Sequence, residues 1–128
     1  MARIEKREIA SLIFTADESD SLYFYCSDGD LHVGNTPHYR YALGYYTGDE
    51  SLMKDYVDWQ IGRGKSAKIK INCFNKVLGS AKRKGIRRPI QIRGDRICDG
   101  HHRAATALAL GKKRIVCRVK KEIECQEV

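Results

Sequence analysis

The sequence predicts a mixed α+β domain in which a small mixed sheet is flanked by helices. Three observations favour this class: short apolar β-type runs at Pro89–Ile92 and Arg114–Val119, an amphipathic run over 73–84, and an Ala/Leu-rich run over 101–110. A chain of 128 residues is the size of one domain with its own core. No stretch approaches the ~18 apolar residues of a membrane span, and the charged start lacks the apolar run of a secretory signal. We therefore expect a single cytoplasmic domain over 1–128.

The first third of the chain predicts three elements. Residues Ile4–Phe14 predict a short helix that leads into a strand. Residues 21–33 predict a β-hairpin, because the pair Asp28-Gly29 lies where a tight turn needs a left-handed backbone. Residues Gly34–Gly48 predict an aromatic loop, whose tyrosines either pack in the core or form a stacking surface over a base.

Helix signals follow this loop. The capping box Thr47-x-x-Glu50 predicts a helix that ends at about Gly62. The segment Ile61–Lys70 is rich in glycine and lysine and is expected to be exposed. Its run Gly62–Ser66 is only a weak match to a phosphate-binding loop, because it lacks the first glycine and the preceding apolar strand.

The second half predicts regularly spaced elements. Asn72 is the expected cap of a helix over 73–84 that Gly85 ends. Strands over 89–92 and 96–98 are expected to flank the turn Arg93-Gly94-Asp95. A helix over 101–110, with Gly111 as its C-terminal cap, and a strand over 114–119 complete the order.

Charge is distributed unevenly along the chain. Residues 1–62 hold 5 Lys and Arg against 11 Asp and Glu, whereas residues 63–121 hold 19 against 2. Residues 122–128 form an acidic tail, and the net charge of the chain is +8. Such asymmetry favours a polyanionic partner, DNA or RNA, for the basic 63–121 segment. The residues expected to contact nucleic acid are Lys82, Arg83, Lys84, Arg87 and Arg88.

The five cysteines are widely spaced and form no C-x-x-C motif. In a cytoplasmic protein we expect them to be reduced, and several to be buried as small apolar groups. A zinc site would have to use Cys98, His101, His102 and Cys117, but this spacing fits no zinc pattern well. No metal ligand is therefore predicted within the protein.

Residues 98–111, which read CDGHHRAATALALG, carry the clearest chemical signal. A strand, a glycine turn and a helix that begins with His-His-Arg place free backbone N–H groups and the positive end of a helix dipole at one point. Arg103 can grip a phosphate with two parallel hydrogen bonds. The motif predicts a phosphate-binding element, with Asp99, His101, His102 and Arg103 as candidate catalytic residues.

The roles of the individual side chains stay partly open. Asp99 is expected to cap the helix, or else to act as a base or hold a metal near the phosphates. Neighbouring helical residues lie about 100° apart, so we expect one ring of the His101-His102 pair to be functional and the other to be packed. A catalytic carboxylate from the N-terminal half would complete a phosphotransfer site. The loop candidates are Asp17, Glu18, Asp28, Asp30, Asp49 and Glu50.

The order of motifs resembles the ParB/sulfiredoxin superfamily. The stretch Ser80–Ile92, with its Gly85 and Pro89-Ile90-Gln91-Ile92, is similar to that family's Ser-Gly-Pro-Ile region, and Asp99–Arg103 is similar to its phosphate-binding signature. The resemblance covers residues 73–119, within a nucleotide/phosphate-binding core assigned to 71–121. Residues 1–70 form a divergent N-terminal part.

The resemblance implies a nucleotide cofactor, ATP, ADP or CTP, with Mg²⁺ as a further expected component. It places that nucleotide on Gly100, His101, His102, Arg103 and Ser80. Sulfiredoxins carry a cysteine where this chain has His101, so sulfiredoxin activity is not expected. A partition clamp is not expected either, because no DNA-binding helix-turn-helix follows Val119.

Three functions remain open from the sequence. The first is a nucleotide-binding protein that hydrolyses or transfers a phosphate on or near nucleic acid. The second is a non-catalytic nucleic-acid-binding module or a ParB-like nuclease. The third is a small-molecule kinase or a regulator that binds another protein. The sequence indicates neither the oligomeric state nor the phosphate acceptor.

Overall fold

One five-stranded sheet organises the chain in the computed structural model, which describes residues 3–15 and 21–120. Its strands are β1 (Arg3–Glu8), β2 (Ile13–Phe14), β3 (Ile90–Arg93), β4 (Arg96–Asp99) and β5 (Arg114–Val119). The helices are α1 (Pro37–Thr47), α2 (Lys54–Arg63), α3 (Ala67–Lys84) and α4 (His101–Ala109). Short 3-10 turns occupy Ile9–Ser11, Ser21–Tyr25, Ser27–Gly29, Val33–Asn35 and Glu50–Met53. The predicted α+β class with a small mixed sheet is confirmed.

The sheet is mixed, with strand order β1-β5-β3-β4-β2. β1 pairs antiparallel with β5, which runs parallel to β3; β3 pairs antiparallel with β4, which runs parallel to β2. Strand β5 alternates strictly, since Ile115, Cys117 and Val119 are buried and the residues between them are exposed. The pairing of β1 with β5 joins the N-terminal residues to the C-terminal half.

The core lies between this sheet and the helices. Buried side chains from the strands, such as Phe14, Ile92 and Ile97, form one cluster with Tyr56 from α2 and Phe74 from α3. Helix α4 contacts α1, α3 and β3, and contributes Ala104, Ala105 and Ala107 to the same cluster. Small residues on α4 let its backbone approach its neighbours closely, which fixes the helix start that follows β4.

The hairpin predicted over 21–33 is wrong. Leu22 and Cys26 are buried but Phe24, midway between them, is 87% exposed, so burial does not alternate as a strand requires, and Ser21–Tyr25 and Ser27–Gly29 form 3-10 turns instead. The left-handed backbone expected at the Asp28-Gly29 pair is confirmed, with φ of 58° and 68°. The helix expected within Ile4–Phe14 is also wrong, because this segment forms β1, a 3-10 turn and β2.

The aromatic segment 34–48 is a helix and not a loop. The Thr36 side chain accepts a hydrogen bond from the backbone N–H of Tyr39, Pro37 follows at the first helical position, and Gly48 ends α1 with a φ of 79°. The capping box expected at Thr47 and Glu50 does not form, since the Thr47 hydroxyl donates to the Leu43 carbonyl within α1. The side chain of Asp49 accepts from the Ser51 N–H instead.

Helix α3 begins earlier than expected, at Ala67, so Asn72 lies inside it and caps nothing. The glycine- and lysine-rich run over 62–66 is exposed as expected; its first two residues end α2, and residues 64–66 connect α2 to α3. The end of α3 at Gly85, both strands of the β3–β4 hairpin, the span of α4 and the bounds of β5 agree with expectation within one residue. Gly111 has the expected left-handed conformation beyond α4, with a φ of 85°.

Of the described cysteines, Cys26 and Cys117 are buried, and Cys73 and Cys98 are exposed. In the described part of the chain, no helix has the length and apolar character needed to cross a membrane. The acidic tail, Cys125 and the candidate carboxylates Asp17 and Glu18 lie outside the described residues.

Candidate functional site at the start of α4

Gly100 turns the chain from β4 into α4 with a φ of 96°, a conformation that L side chains rarely adopt. A Cβ placed there would lie 2.6 Å from Cγ2 of Ile90 and 2.9 Å from Nη2 of Arg103. No side chain caps the helix, and its first backbone hydrogen bond runs from the Ala104 N–H to the Gly100 carbonyl. The N–H groups of His102 and Arg103 are therefore available for an external acceptor, as the motif predicts.

Asp99 does not cap α4, contrary to expectation. It is the last residue of β4, and its carboxylate Oδ2 lies 3.5 Å from Nη2 of Arg103. The Asp99 side chain is 65% exposed, so this ion pair is solvated and weak. Asp99 thus neutralises part of the charge on Arg103 and leaves the helix start open.

Arg103 is held at one end of its guanidinium group. Its Nη2 donates to the Pro89 carbonyl at 3.3 Å, while its Nε is buried and has no hydrogen-bond partner in the described part of the chain. A buried guanidinium N–H without an acceptor is costly. An anion that accepted from Arg103 would supply the missing hydrogen bond, so this side chain fits a phosphate.

The side chain of Arg103 lines a cleft of about 370 Å³ between α3 and the segment that precedes β3. Ser80, which the resemblance nominated from sequence, lines the same cleft although 23 positions separate it from Arg103. Further cations come from Lys76, Arg87 and Arg88, and apolar surface comes from Val77, Ala81 and Ile86. We name this recess the arginine cleft, and none of the described carboxylates lines it. Its charge and its apolar lining suit an anion with an apolar body.

His102 is packed in the interior. Its ring lies edge-on to Phe74, with centroids 4.6 Å apart, and its Nε2 lies 2.9 Å from the hydroxyl of Tyr56. The Tyr56 hydroxyl also accepts from Nε2 of Gln60 at 2.9 Å, so this hydroxyl links Gln60 to the His102 ring. Burial first, and then neighbouring positive groups, lower the pKa of His102 to about 4. His102 is thus neutral at pH 7.

His101 faces a different recess from Arg103. Its ring lies edge-on to Phe14 at 4.8 Å, and together with His102 it lines a cavity of about 180 Å³ that we name the histidine cavity. Arg63 also lines this cavity, with its guanidinium carbon 4.3 Å from the ring centroid of Trp59. The structure therefore separates the candidate residues: the two histidines share one cavity, and Arg103 shares another with Ser80.

Sequence reasoning missed His38, which the aromatic-loop interpretation obscured. His38 is 3% exposed on α1, and it packs against both Trp59 and His102 with ring centroids 4.9 Å and 5.0 Å away. Its Nδ1 is buried without a hydrogen-bond partner among the described residues, and burial holds its pKa well below the usual range. The helix signal Thr36-Pro37 could have placed it in the core.

The other predicted residues are distributed as follows. The described loop carboxylates Asp28, Asp30, Asp49 and Glu50 line neither the arginine cleft nor the histidine cavity. Three exposed cations lie in the last turn of α3: Lys82, Arg83 and Lys84. Their positive charges interact favourably with the negative end of the helix dipole. Among the described residues, no group of three or more His, Cys, Asp or Glu side chains is arranged to hold a metal ion. The zinc set considered from sequence therefore does not form.

None of the protein-family models matches this chain. No characterised protein and no solved structure matches it either. The resemblance to the ParB/sulfiredoxin superfamily consequently rests on the motifs within residues 73–119, and any function has to be argued from the site itself.

Proposed function

We propose that this protein binds a nucleotide through its phosphates, with the phosphates held between the start of α4 and the arginine cleft. The observation that carries the proposal is the convergence of Ser80 and Arg103. They come from different helices and line one cleft to which the described residues contribute four cations and no carboxylate. The unpaired Nε of Arg103 supports the same ligand, because a phosphate oxygen would satisfy it.

The residues of the cleft would divide the binding between them. The Arg103 side chain and the N–H groups of His102 and Arg103 would hold phosphate oxygens, and Ser80 would donate a hydrogen bond from its hydroxyl. Lys76, Arg87 and Arg88 would balance the remaining charge, and Val77 with Ile86 would contact the apolar part of the ligand. His102, being neutral and bonded to Tyr56, would position the helix start rather than bind phosphate.

Phosphate hydrolysis or transfer is the chemical step proposed for such a site. Asp99 is the carboxylate adjacent to Arg103, and its exposed side chain is the candidate for holding Mg²⁺ or accepting a proton. The nucleotide would supply most of the Mg²⁺ ligands. The geometry favours binding more directly than catalysis, since Asp99 is ion-paired with Arg103 in this arrangement.

Calorimetric titration with ATP, ADP and CTP, with and without Mg²⁺, tests the proposal. We expect saturable binding of at least one nucleotide, and a loss of about tenfold or more in affinity in Ser80→Ala and Arg103→Ala, as removal of a charge-assisted hydrogen bond requires. Lys65→Ala is the control, because Lys65 is exposed and does not line the cleft. Absence of binding by all three nucleotides would reject the proposal.

Catalysis is measured separately, as phosphate release from the nucleotide that binds. Asp99→Asn should abolish release while leaving nucleotide affinity within a few-fold of the unmodified protein. If Asp99→Asn releases phosphate at the unmodified rate, Asp99 has no role in the reaction.

A further inference from the structure

A second basic cleft adjoins the arginine cleft. It has a volume of about 450 Å³ and shares the segment Gly85–Arg88 with the arginine cleft, so the two recesses have one wall in common. Beyond Arg87 and Arg88, its cations are Lys6, Lys112 and Arg114. Its apolar surface comes from Ile86, Ala107, Ile115 and Val116. We name the two clefts together the basic groove.

The additional cations of this second cleft come from distant parts of the sequence, and the fold brings them together. Lys6 belongs to β1, Arg114 begins β5, and Lys112 lies in the connection between α4 and β5. The antiparallel pairing of β1 with β5 brings the first two together, since Glu8 is opposite Arg114 and Lys6 is opposite Val116. Sequence analysis assigned the basic 63–121 segment, which includes Lys112 and Arg114, to a nucleic-acid partner, but it singled out none of these three residues and did not include Lys6.

Within residues 3–15 and 21–120, no carboxylate lines either cleft and no ion pair involves Lys6, Lys112 or Arg114. Like charges held within about 10 Å repel one another at ordinary ionic strength. A chain of phosphates relieves this repulsion and releases its own condensed counterions, and both effects favour association. The groove is therefore suited to a ligand whose negative charges are spread along its length.

A single nucleotide does not account for this arrangement. The negative charge of a nucleotide is concentrated on adjacent phosphates, which the cations of the arginine cleft would bind. The second cleft supplies cations on the far side of the segment 85–88, where only a ligand that continues past Arg87 and Arg88 would reach them.

From these observations we infer that the basic groove binds a single nucleic-acid strand, whose phosphodiester backbone passes over residues 85–88 from one cleft into the other. No Tyr, Trp or Phe of the described part of the chain lines either cleft, so we expect no base stacking and little base preference. This inference does not rest on the proposed nucleotide, because Lys6, Lys112 and Arg114 do not line the arginine cleft.

Fluorescence anisotropy with labelled 20-nucleotide single strands of DNA and RNA, measured over a range of salt concentrations, tests the inference. Unmodified protein should bind with a logarithm of affinity that falls linearly with the logarithm of salt concentration. The double variant Lys112→Ala/Arg114→Ala should lose about tenfold in affinity at low salt, and its slope should decrease by about 0.7 for each phosphate contact removed.

The matched control is Lys65→Ala/Lys68→Ala, which removes the same charge from exposed positions outside the groove. It should keep nearly the full affinity and slope. Equal losses in the two double variants would show that net charge alone attracts the strand and would overturn the inference. Unchanged binding by Lys112→Ala/Arg114→Ala, or tighter binding of a duplex than of either strand, would also overturn it.

Calorimetry on the same variants separates this inference from the proposed function. Lys112→Ala/Arg114→Ala should bind nucleotide like the unmodified protein, whereas Arg103→Ala should lose nucleotide binding. Thermal unfolding of every variant confirms that it is folded. If nucleic-acid strands bind and nucleotides do not, the inference about the basic groove is supported and the nucleotide proposal fails. If nucleotides bind and nucleic-acid strands do not, only the inference about the basic groove is rejected.

Discussion

The hydroxyl of Tyr56 lies 2.9 Å from Nε2 of His102, so a side chain of the N-terminal part of the chain holds the motif of the C-terminal part. Gln60 extends this contact by donating to the same hydroxyl. The start of α4 is thus positioned by α2, from a part of the sequence where no motif resembles a known family. The resemblance covers the residues proposed to bind phosphate, but not the residues that orient them.

Tyr56→Phe removes the hydroxyl that links Gln60 to His102. Both partners are then left buried without their hydrogen bond, and we expect a loss of about 1–3 kcal/mol in the free energy of unfolding. Chemical denaturation measures this loss. Tyr41→Phe is the comparison, because the Tyr41 hydroxyl donates to one described acceptor, the Asn75 side chain, and its removal should cost about 1 kcal/mol. A smaller loss in Tyr56→Phe than in Tyr41→Phe would contradict the positioning role.

The pKa of about 4 at His102 makes stability depend on pH. The unfolded chain binds a proton at this residue below about pH 6.5, whereas the folded protein does so only near pH 4, so the stabilising contribution is complete above pH 6.5 and is lost as the pH falls towards 4. We expect a loss on the order of 2–3 kcal/mol over this range from His102. Denaturation at a series of pH values should show a flatter acid limb for His102→Asn. An identical acid limb in the variant would contradict the burial of a neutral ring.

Gly100→Ala tests the turn that begins α4. The new Cβ would be strained by the positive φ and would also meet Ile90 and Nη2 of Arg103. We expect a loss above about 2 kcal/mol in stability, together with weaker nucleotide binding, because Arg103 must move.

Gly111→Ala is the matched control for this change. Gly111 has a similar positive φ of 85°, but an added Cβ there would meet nothing within 4 Å. Its cost should be about 1 kcal/mol, and nucleotide binding should be unaffected. Equal losses at the two glycines would show that backbone strain alone, and not close packing at the helix start, requires Gly100.

Arg40 offers a test of the N-terminal part. Its guanidinium donates to the Tyr25 carbonyl, to the Asn35 carbonyl at 3.1 Å and to Asp55 at 3.1 Å, so it ties α1 to the turns before it and to α2. Arg40→Ala should lower the free energy of unfolding by about 2–3 kcal/mol, since several carbonyl and carboxylate acceptors lose their donor. Arg96→Ala, at an exposed position, should change stability by less than about 0.5 kcal/mol.

The sequence predicts the second half of the fold well and the first half poorly, for physical reasons. Between Ala67 and Val119, glycines at 85, 100 and 111 and alternating β-type residues mark the element boundaries locally. In residues 21–48, long-range packing decides the structure: Leu22, Leu31 and Val33 are buried by elements distant in sequence, and 3-10 turns result. Thr36 followed by Pro37 is typical of a helix start, but the aromatic residues after this pair favour a loop interpretation.

The candidate site was partly predictable for a related reason. The local motif over 98–111 predicts Gly100 and Arg103 as site residues, and the resemblance to the ParB/sulfiredoxin superfamily predicts Ser80. The division of the three side chains at 101–103 between two recesses depends on how α4 packs against α1 and α3, which no local pattern reveals. Lys112 and Arg114 likewise acquire their place beside Arg87 only when the sheet is assembled.

The most direct test of the phosphate site is a titration of ¹⁵N-labelled protein with the best-binding nucleotide, followed by amide chemical shifts. The account predicts the largest shifts at residues 100–103 and at Ser80, with the amides of His38 and Arg63 little changed. Shifts concentrated at His38 and Arg63, or no shifts at residues 100–103, would contradict the claim that phosphate is held at the start of α4.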